Sequence, residues 1–326
     1  MKLPLLALAL TAGLVAVGTP ARADDAPAVA PTATYTLDSA AIWAGQRVTL
    51  TESGRNGPAT TTRTIDWGDG TVETPGTPTH SYASPGSYGI KVTLTDGTET
   101  GTGVFPAGST VTVTTSPGTY SWERPTIYTY PGYMEQGSML ASGLPTASQV
   151  WTGWGDGETS LLASAAGTSV AHWYGTGRWT PSITVQNAQG RATPRPAASL
   201  TVLNDVTTPS VSLTVPSTPS KASSWSTVKG KASDTQSGVD VVGVQAYKWN
   251  ASTTYYYNFV SKSWVTYTGQ DLPDAAQALL TVDGSGTWST PVAGLGKGYT
   301  LQVWYYAWDK VGNGTDSYNA TYALTS

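Results

Sequence analysis

Asp66-Trp67-Gly68-Asp69-Gly70, followed by His80-Ser81-Tyr82 and Gly86-Ser87-Tyr88, decides the fold of this chain, because the pattern occurs twice. The second copy reads Trp154-Gly155-Asp156-Gly157, then His172-Trp173-Tyr174 and Gly177-Arg178-Trp179. The tryptophans stand 87 positions apart and the histidines 92 apart, which is the length of a small domain. Each copy runs on into an alternating stretch, Ile90 to Asp96 and Ile183 to Asn187. A domain-sized unit used twice reads as a structural module, since an active site rarely needs copying. Both histidines of the chain fall at the equivalent place in the two copies, so their role is architectural.

Each residue type in the repeat has a physical reason. The glycines of Gly-Asp-Gly can take positive φ in a tight turn, and the Asp side chain can cap backbone N–H groups. Trp67 and Trp154 then point into a core. His-x-Tyr puts two side chains on one face of a strand, with Tyr82 or Tyr174 packing inward and His80 or His172 bonding a neighbouring loop. An Asx-type turn accounts for Asp69 and Asp156, and a calcium ligand is the alternative. His80 and His172 lack a second His, Cys or carboxylate cluster at ligand spacing, which argues against a metal or catalytic role.

These motifs resemble the PKD domain, an immunoglobulin-like β-sandwich of microbial surface proteins and secreted enzymes. The first copy carries the pattern through Pro85-Gly86, Tyr88, Val92, Leu94 and Asp96. The second departs from it, with Gly153 in place of Asp66, Trp179 in place of the tyrosine and Asn187 in place of the aspartate. The resemblance implies two tandem sandwiches.

Composition agrees with an all-β extracellular protein. Charged residues are 12% of the chain, while 36 Gly and 21 Pro separate runs rich in Thr, Ser, Val, Trp and Tyr. Lys2, the apolar run Leu3 to Val17 and Ala21-Arg22-Ala23 read as a cleaved signal peptide over 1–23. No later stretch approaches the roughly 20 apolar residues of a membrane span. The chain has no cysteine, hence no disulfide framework and no lipid-attachment cysteine. Seventeen basic residues, scattered singly, face 21 acidic ones, and this balance argues against nucleic acid. The expected organisation is a linker over 24–33, sandwiches over 34–115 and 116–205, and a third, different sandwich over 206–326. Strands are expected at Arg47 to Thr51, Ile90 to Leu94, Val111 to Val113, Ile183 to Val185, Val211 to Val215, Val239 to Tyr247 and Leu301 to Ala307, with a helical turn around Pro273 to Leu279.

The third segment has its own framing motifs, Gly230-Lys-Ala232-Ser-Asp234 leading to Ser237-Gly238-Val239, and Ala307-Trp308-Asp309-Lys310-Val311-Gly312-Asn313. These resemble bacterial Ig-like domains, in which Asp234, Asp309 and Asn313 would shape loops at one end of the sandwich. Asp234 and Asp309 are the remaining calcium candidates, and no other cofactor is implied. Tyr247, Trp249, Tyr255, Tyr256, Tyr257, Phe259, Trp264 and Tyr267 fall within 21 residues. In the last long strand, if Val303, Tyr305 and Ala307 face the core, period two sends Trp304, Tyr306 and Trp308 to the opposite face. An open aromatic face binding sugar rings, with Tyr256 and Trp264 contributing, is one reading. The other is that the Tyr255 to Tyr267 hairpin folds over that face as a second small core.

No serine elbow, phosphate-cradling glycine loop or HExxH is present, and nearly every Asp sits in a Gly-rich turn. The expected protein is therefore secreted and non-catalytic, binding extracellular polysaccharide or a surface protein through its third sandwich, with no membrane insertion. A structural spacer with no ligand of its own is the alternative, and an unrecognised hydrolase the least favoured.

Overall fold

The computed structural model describes residues 29–146, 148–162 and 169–326, so the expected signal peptide and the linker up to residue 28 lie outside the described residues. The fold is all-β, as tandem sandwiches of immunoglobulin type. The chain divides into two compact units, one ending at Thr114 and the other spanning Thr115–Ser326. Among the described residues no helix is long and apolar enough to cross a membrane.

In the first unit, alternation builds both sheets. Arg47–Ser53, Lys91–Thr95 and Thr110–Thr114 send Val48, Leu50, Val92, Leu94, Val111 and Val113 inward and their threonines outward. A seven-stranded sheet runs from Val72–Glu73 to Thr79–Ser81, and Thr110–Thr114 is the middle strand of a three-stranded one. Together they close on a core containing Tyr35, Ile65, Trp67 and Tyr82. The early strand Ala41–Trp43 pairs in parallel with the last, Thr110–Thr114.

The second unit repeats that device. Thr126–Thr129 lies parallel to Leu200–Asn204, and Met139, Val150, Trp154, Ile183 and Val185 are buried between the sheets. Among the described residues no strand of 119–204 pairs with one of 210–323.

The segment from Ser210 has a small sheet, Ser210–Leu213 with Thr227–Ser233 and Thr287–Pro291, and a larger one centred on Val239–Trp249 and Thr300–Asp309. Trp225, Val228, Val242, Val244, Trp288, Leu301 and Val303 fill the space between them. The strand expected over Val211 to Val215 stops at Leu213, leaving Val215 exposed ahead of Pro216, which has no N–H for a ladder. The expected helical turn is a single 3-10 turn, Asp274–Ala276, after which Gln277–Leu280 joins the larger sheet. The hairpin of Thr254–Asn258 and Ser263–Thr266 extends that sheet sideways by pairing with Val239–Trp249.

Candidate functional site

Strand Thr300–Asp309 sets the geometry of the candidate site. Leu301, Val303, Ala307 and Asp309 are buried, and Gln302, Trp304, Tyr306 and Trp308 stand on the other side. Tyr305 faces inward and packs against Trp288, with ring centroids 6.2 Å apart. On the adjacent strand, Gln245 lies opposite Trp304, Tyr247 opposite Gln302 and Trp249 opposite Thr300. Directly opposed residues in an antiparallel pair share a face. These two strands therefore put three tryptophans and two tyrosines on one sheet face, with two glutamine amides among them.

Gly243 makes room on this face. It sits opposite Tyr306, whose ring lies across it, so that an added Cβ would come within 2.2 Å of the ring. The Tyr306 hydroxyl is held by the amide of Gln277, on the strand beside Val239–Trp249. Trp308, 45% exposed, lies over Gly314. Tyr267 meets Tyr247 edge-to-face at 6.3 Å. Burial, and then the nearby Tyr267, raise the Tyr247 hydroxyl above its ordinary pKa, so it stays a neutral donor. Tyr247, Trp249, Tyr267 and Trp304, with Gln245 and Gln302, line a concavity of about 490 Å3. Flat aromatic faces pack against apolar C–H groups, and the amides offer both donors and acceptors for hydroxyls.

Of two further residues grouped with this face by sequence, one turns to the core side and the other is on the face but covered. Trp264 pairs across from Tyr257 and so turns to the core side. There it packs at 5.0 Å from Tyr257, and its indole N–H donates to the Ala293 carbonyl over 2.7 Å. Tyr256 falls opposite Tyr247 but is buried. The hairpin does not fold over the aromatic face, because backbone pairing carries it outward in the plane of the sheet. Tyr247, Trp249 and Tyr267, with Gln245 and Gln302, were not singled out as ligand contacts from sequence. Period-two reading of 239–249 was the available signal.

Core-side Lys248 is buried, and desolvation lowers its pKa. Its ammonium donates to the Gly294 carbonyl over 2.8 Å and stands 4.6 Å from the ring centroids of both Trp264 and Tyr299.

The repeated motif forms the same cluster twice. His80 Nε2 and Asp69 Oδ2 are 2.8 Å apart, and His172 Nε2 and Asp156 Oδ2 are 2.6 Å apart. Each imidazole stacks on the motif tryptophan, at 4.9 Å on Trp67 and 4.7 Å on Trp154. Tyr82 and Tyr174 donate their hydroxyls to the carbonyls of Trp67 and Trp154. The other carboxylate oxygen caps the turn, Asp69 accepting from Thr71 N–H and Asp156 from Glu158 N–H, each over 2.9 Å. Both aspartates are thus engaged by a histidine and a turn, well apart from one another in sequence.

Burial opposes the charged form of Asp69, but the bonds from His80 and Thr71 outweigh it and hold the carboxyl below its ordinary range. Asp156 behaves likewise through His172 and Glu158. A depressed folded-state pKa contributes stability that is present above the unfolded value, about 3.9, and is lost as pH falls through the folded one. Asp69→Asn is therefore expected to cost about 1.5–3 kcal/mol at pH 7, as for loss of a charged hydrogen bond. That deficit shrinks below about pH 4. Urea denaturation of both proteins at pH 7 and pH 3 checks this, and a deficit unchanged at pH 3 would sink it.

Of the remaining acidic candidates, Asp234 and Asp309 are brought together, and Asp205 joins them from the segment after Leu200–Asn204. Sequence reading passed over Asp205 because it sits alone in a polar hinge.

Residues 28–113 match the family model of the PKD domain. No curated protein matches the chain. Among solved structures, one of a bacterial ice-binding adhesin, described for host cell surface retention, is 18% identical with a TM-score of 0.30, covering 91% of this chain and 98% of its own. The FN1–FN3 domains of chicken CNTN1 are 11% identical with a TM-score of 0.28, covering 90% and 99%. Fibronectin(III)-like modules of Clostridium thermocellum CbhA are 17% identical with a TM-score of 0.24, covering 52% and 94%.

Proposed function

We propose that this chain is a secreted, non-catalytic binding protein that holds an extracellular polysaccharide on the outer aromatic face of its C-terminal sandwich. The observation that carries the reading is the convergence of Trp249, Trp304, Tyr247 and Tyr267 with Gln245 and Gln302 around one open concavity. Large exposed apolar surface with a few placed polar groups is characteristic of recognition sites. Sugar rings suit it, since their C–H faces are apolar and their hydroxyls match the amide groups. The leader-like start, Lys2 with Leu3 to Val17 and Ala21-Arg22-Ala23, supports export. Two sandwiches of the PKD kind precede the C-terminal one along the chain, as in a modular binding protein.

The test is retention of the full chain on a panel of soluble and insoluble polysaccharides, beside Trp249→Ala and Trp304→Ala. An aromatic anchor is worth about 2 kcal/mol or more, roughly 30-fold in affinity. Each single variant is expected to lose that much, and the double variant to lose retention, with near-ultraviolet circular dichroism showing the fold intact. Retention of the double variant at wild-type strength, or no retention of the unaltered chain on any member of the panel, overturns the reading. The second outcome leaves a protein ligand or a spacer role.

A further inference from the structure

The junction after the second sandwich gathers three carboxylates from three separate parts of the chain. Asp205 follows strand Leu200–Asn204, Asp234 follows Thr227–Ser233, and Asp309 closes Thr300–Asp309. Each offers an oxygen that lies within 4.8 Å of the other two. Asp205 is 0% exposed and Asp309 3%.

Backbone bonds aim these groups. Asp205 accepts from Thr207 N–H on one oxygen and Ser237 N–H on the other, both over 2.9 Å. Asp234 Oδ1 accepts from the N–H groups of Gln236 and Gly238. Asp309 Oδ1 accepts from Val311, Gly312 and Asn313 N–H, and its Oδ2 from the Asn313 amide at 2.7 Å. That same amide donates to the Asp205 carbonyl over 3.1 Å. What remains is the Oδ2 of Asp234, which is wholly buried and accepts no hydrogen bond.

A buried carboxylate without counter-charge is costly, and two of them beside the half-buried Asp234 more so. Lys310 is the nearest candidate cation in sequence, but its backbone N–H goes to the Gly238 carbonyl and its ammonium makes no ion pair with the trio. Among the described residues none of the three carboxylates is ion-paired with Lys or Arg. A cation would supply both the missing charge and the partner that Asp234 Oδ2 lacks. Hard oxygen donors select calcium or magnesium over zinc. Calcium–oxygen distances are about 2.3–2.6 Å, so donors to one ion stand no more than about 5 Å apart, and these three carboxylates fall within that limit.

We propose that Asp205, Asp234 and Asp309 form a calcium site that fastens the exit of the second sandwich to two loops of the third. The ion binds Asp234 Oδ2 and the free lone pairs of the other two carboxylates, and water completes its shell. Asp205 is the residue that makes this a joint, since it alone comes from the preceding sandwich. The site is independent of the aromatic face.

The experiment uses the full chain, stripped with chelator and then titrated with calcium in a calorimeter, with thermal unfolding recorded in both states. One calcium per chain and a higher unfolding temperature with saturating calcium are expected. Asp234→Asn keeps the Oδ1 acceptor and the shape, and should weaken calcium binding at least tenfold and remove the thermal shift. Asp69→Asn, in a turn occupied by His80, should change neither. A stripped chain that takes up no calcium and shows no shift overturns the proposal, as does an Asp234→Asn variant that binds as the unaltered chain does. If Asp234→Asn does not fold, the titration of the unaltered chain decides by itself.

Discussion

Trp67→Ala is expected to destabilise the first sandwich by about 3–5 kcal/mol, the usual range for truncating a buried tryptophan. Trp67 is 0% exposed and lies at the centre of the cluster that joins the Gly-Asp-Gly turn to the sheet. Its removal takes away the ring on which His80 stacks at 4.9 Å and leaves a cavity beside Ile65 and Tyr82. Small domains have about 5–15 kcal/mol in all, so a loss of this size brings the first sandwich close to unfolding at ordinary temperature. The equivalent Trp154→Ala should be as damaging in its own sandwich, because Trp154 is 1% exposed and also donates its indole N–H to Ser160 Oγ over 2.9 Å. Urea denaturation followed by fluorescence and circular dichroism reads both. A cost below about 1 kcal/mol at either site would show that the motif tryptophan is not what holds its sandwich together.

Gly230→Ala should be comparably severe for an opposite reason, overfilling. Gly230 lies on the core side of Thr227–Ser233, between Leu213 on one neighbouring strand and Trp288 on the other. A Cβ there would come within 1.9 Å of the Ser212 carbonyl oxygen and 2.3 Å of the Trp288 ring. The ring is 1% exposed and the carbonyl is backbone, so neither can step aside without moving the sheet. A cost of at least about 3 kcal/mol is expected, the upper end for overpacking. The check is the unfolding transition of the third sandwich, together with the near-ultraviolet signal of its tryptophans. A variant with unchanged stability would mean that the small sheet shifts freely against the large one.

Much of this was legible in the chain because the decisive signals are local. The positive φ of Gly68 and Gly70, and of Gly155 and Gly157, lies within the quoted motifs, and an added Cβ at Gly68 would meet the Gly89 carbonyl oxygen at 2.6 Å. The outward stance of Trp304, Tyr306 and Trp308 follows from period two in one strand. What was not legible depends on which strands lie side by side. Register across two strands brings Gln245, Tyr247 and Trp249 to Trp304, and periodicity says nothing of register. Trp264 was grouped with the outer face because it is near in sequence to outward residues, whereas its position opposite Tyr257 turns it inward. Asp205 meets Asp234 and Asp309 only because the exit of one sandwich abuts the loops of the next.

The parallel pairing of early and late strands has a mechanical side. When a chain is pulled from its two ends, a parallel pair formed by an entering and a leaving strand slides rather than peels. Its hydrogen bonds are then strained together in shear. Ala41–Trp43 with Thr110–Thr114, and Thr126–Thr129 with Leu200–Asn204, are pairs of this kind. In the third sandwich every strand pairing among the described residues is antiparallel, so tension meets no such clasp there. The parallel clasps and the aromatic face are thus built on different strand connections.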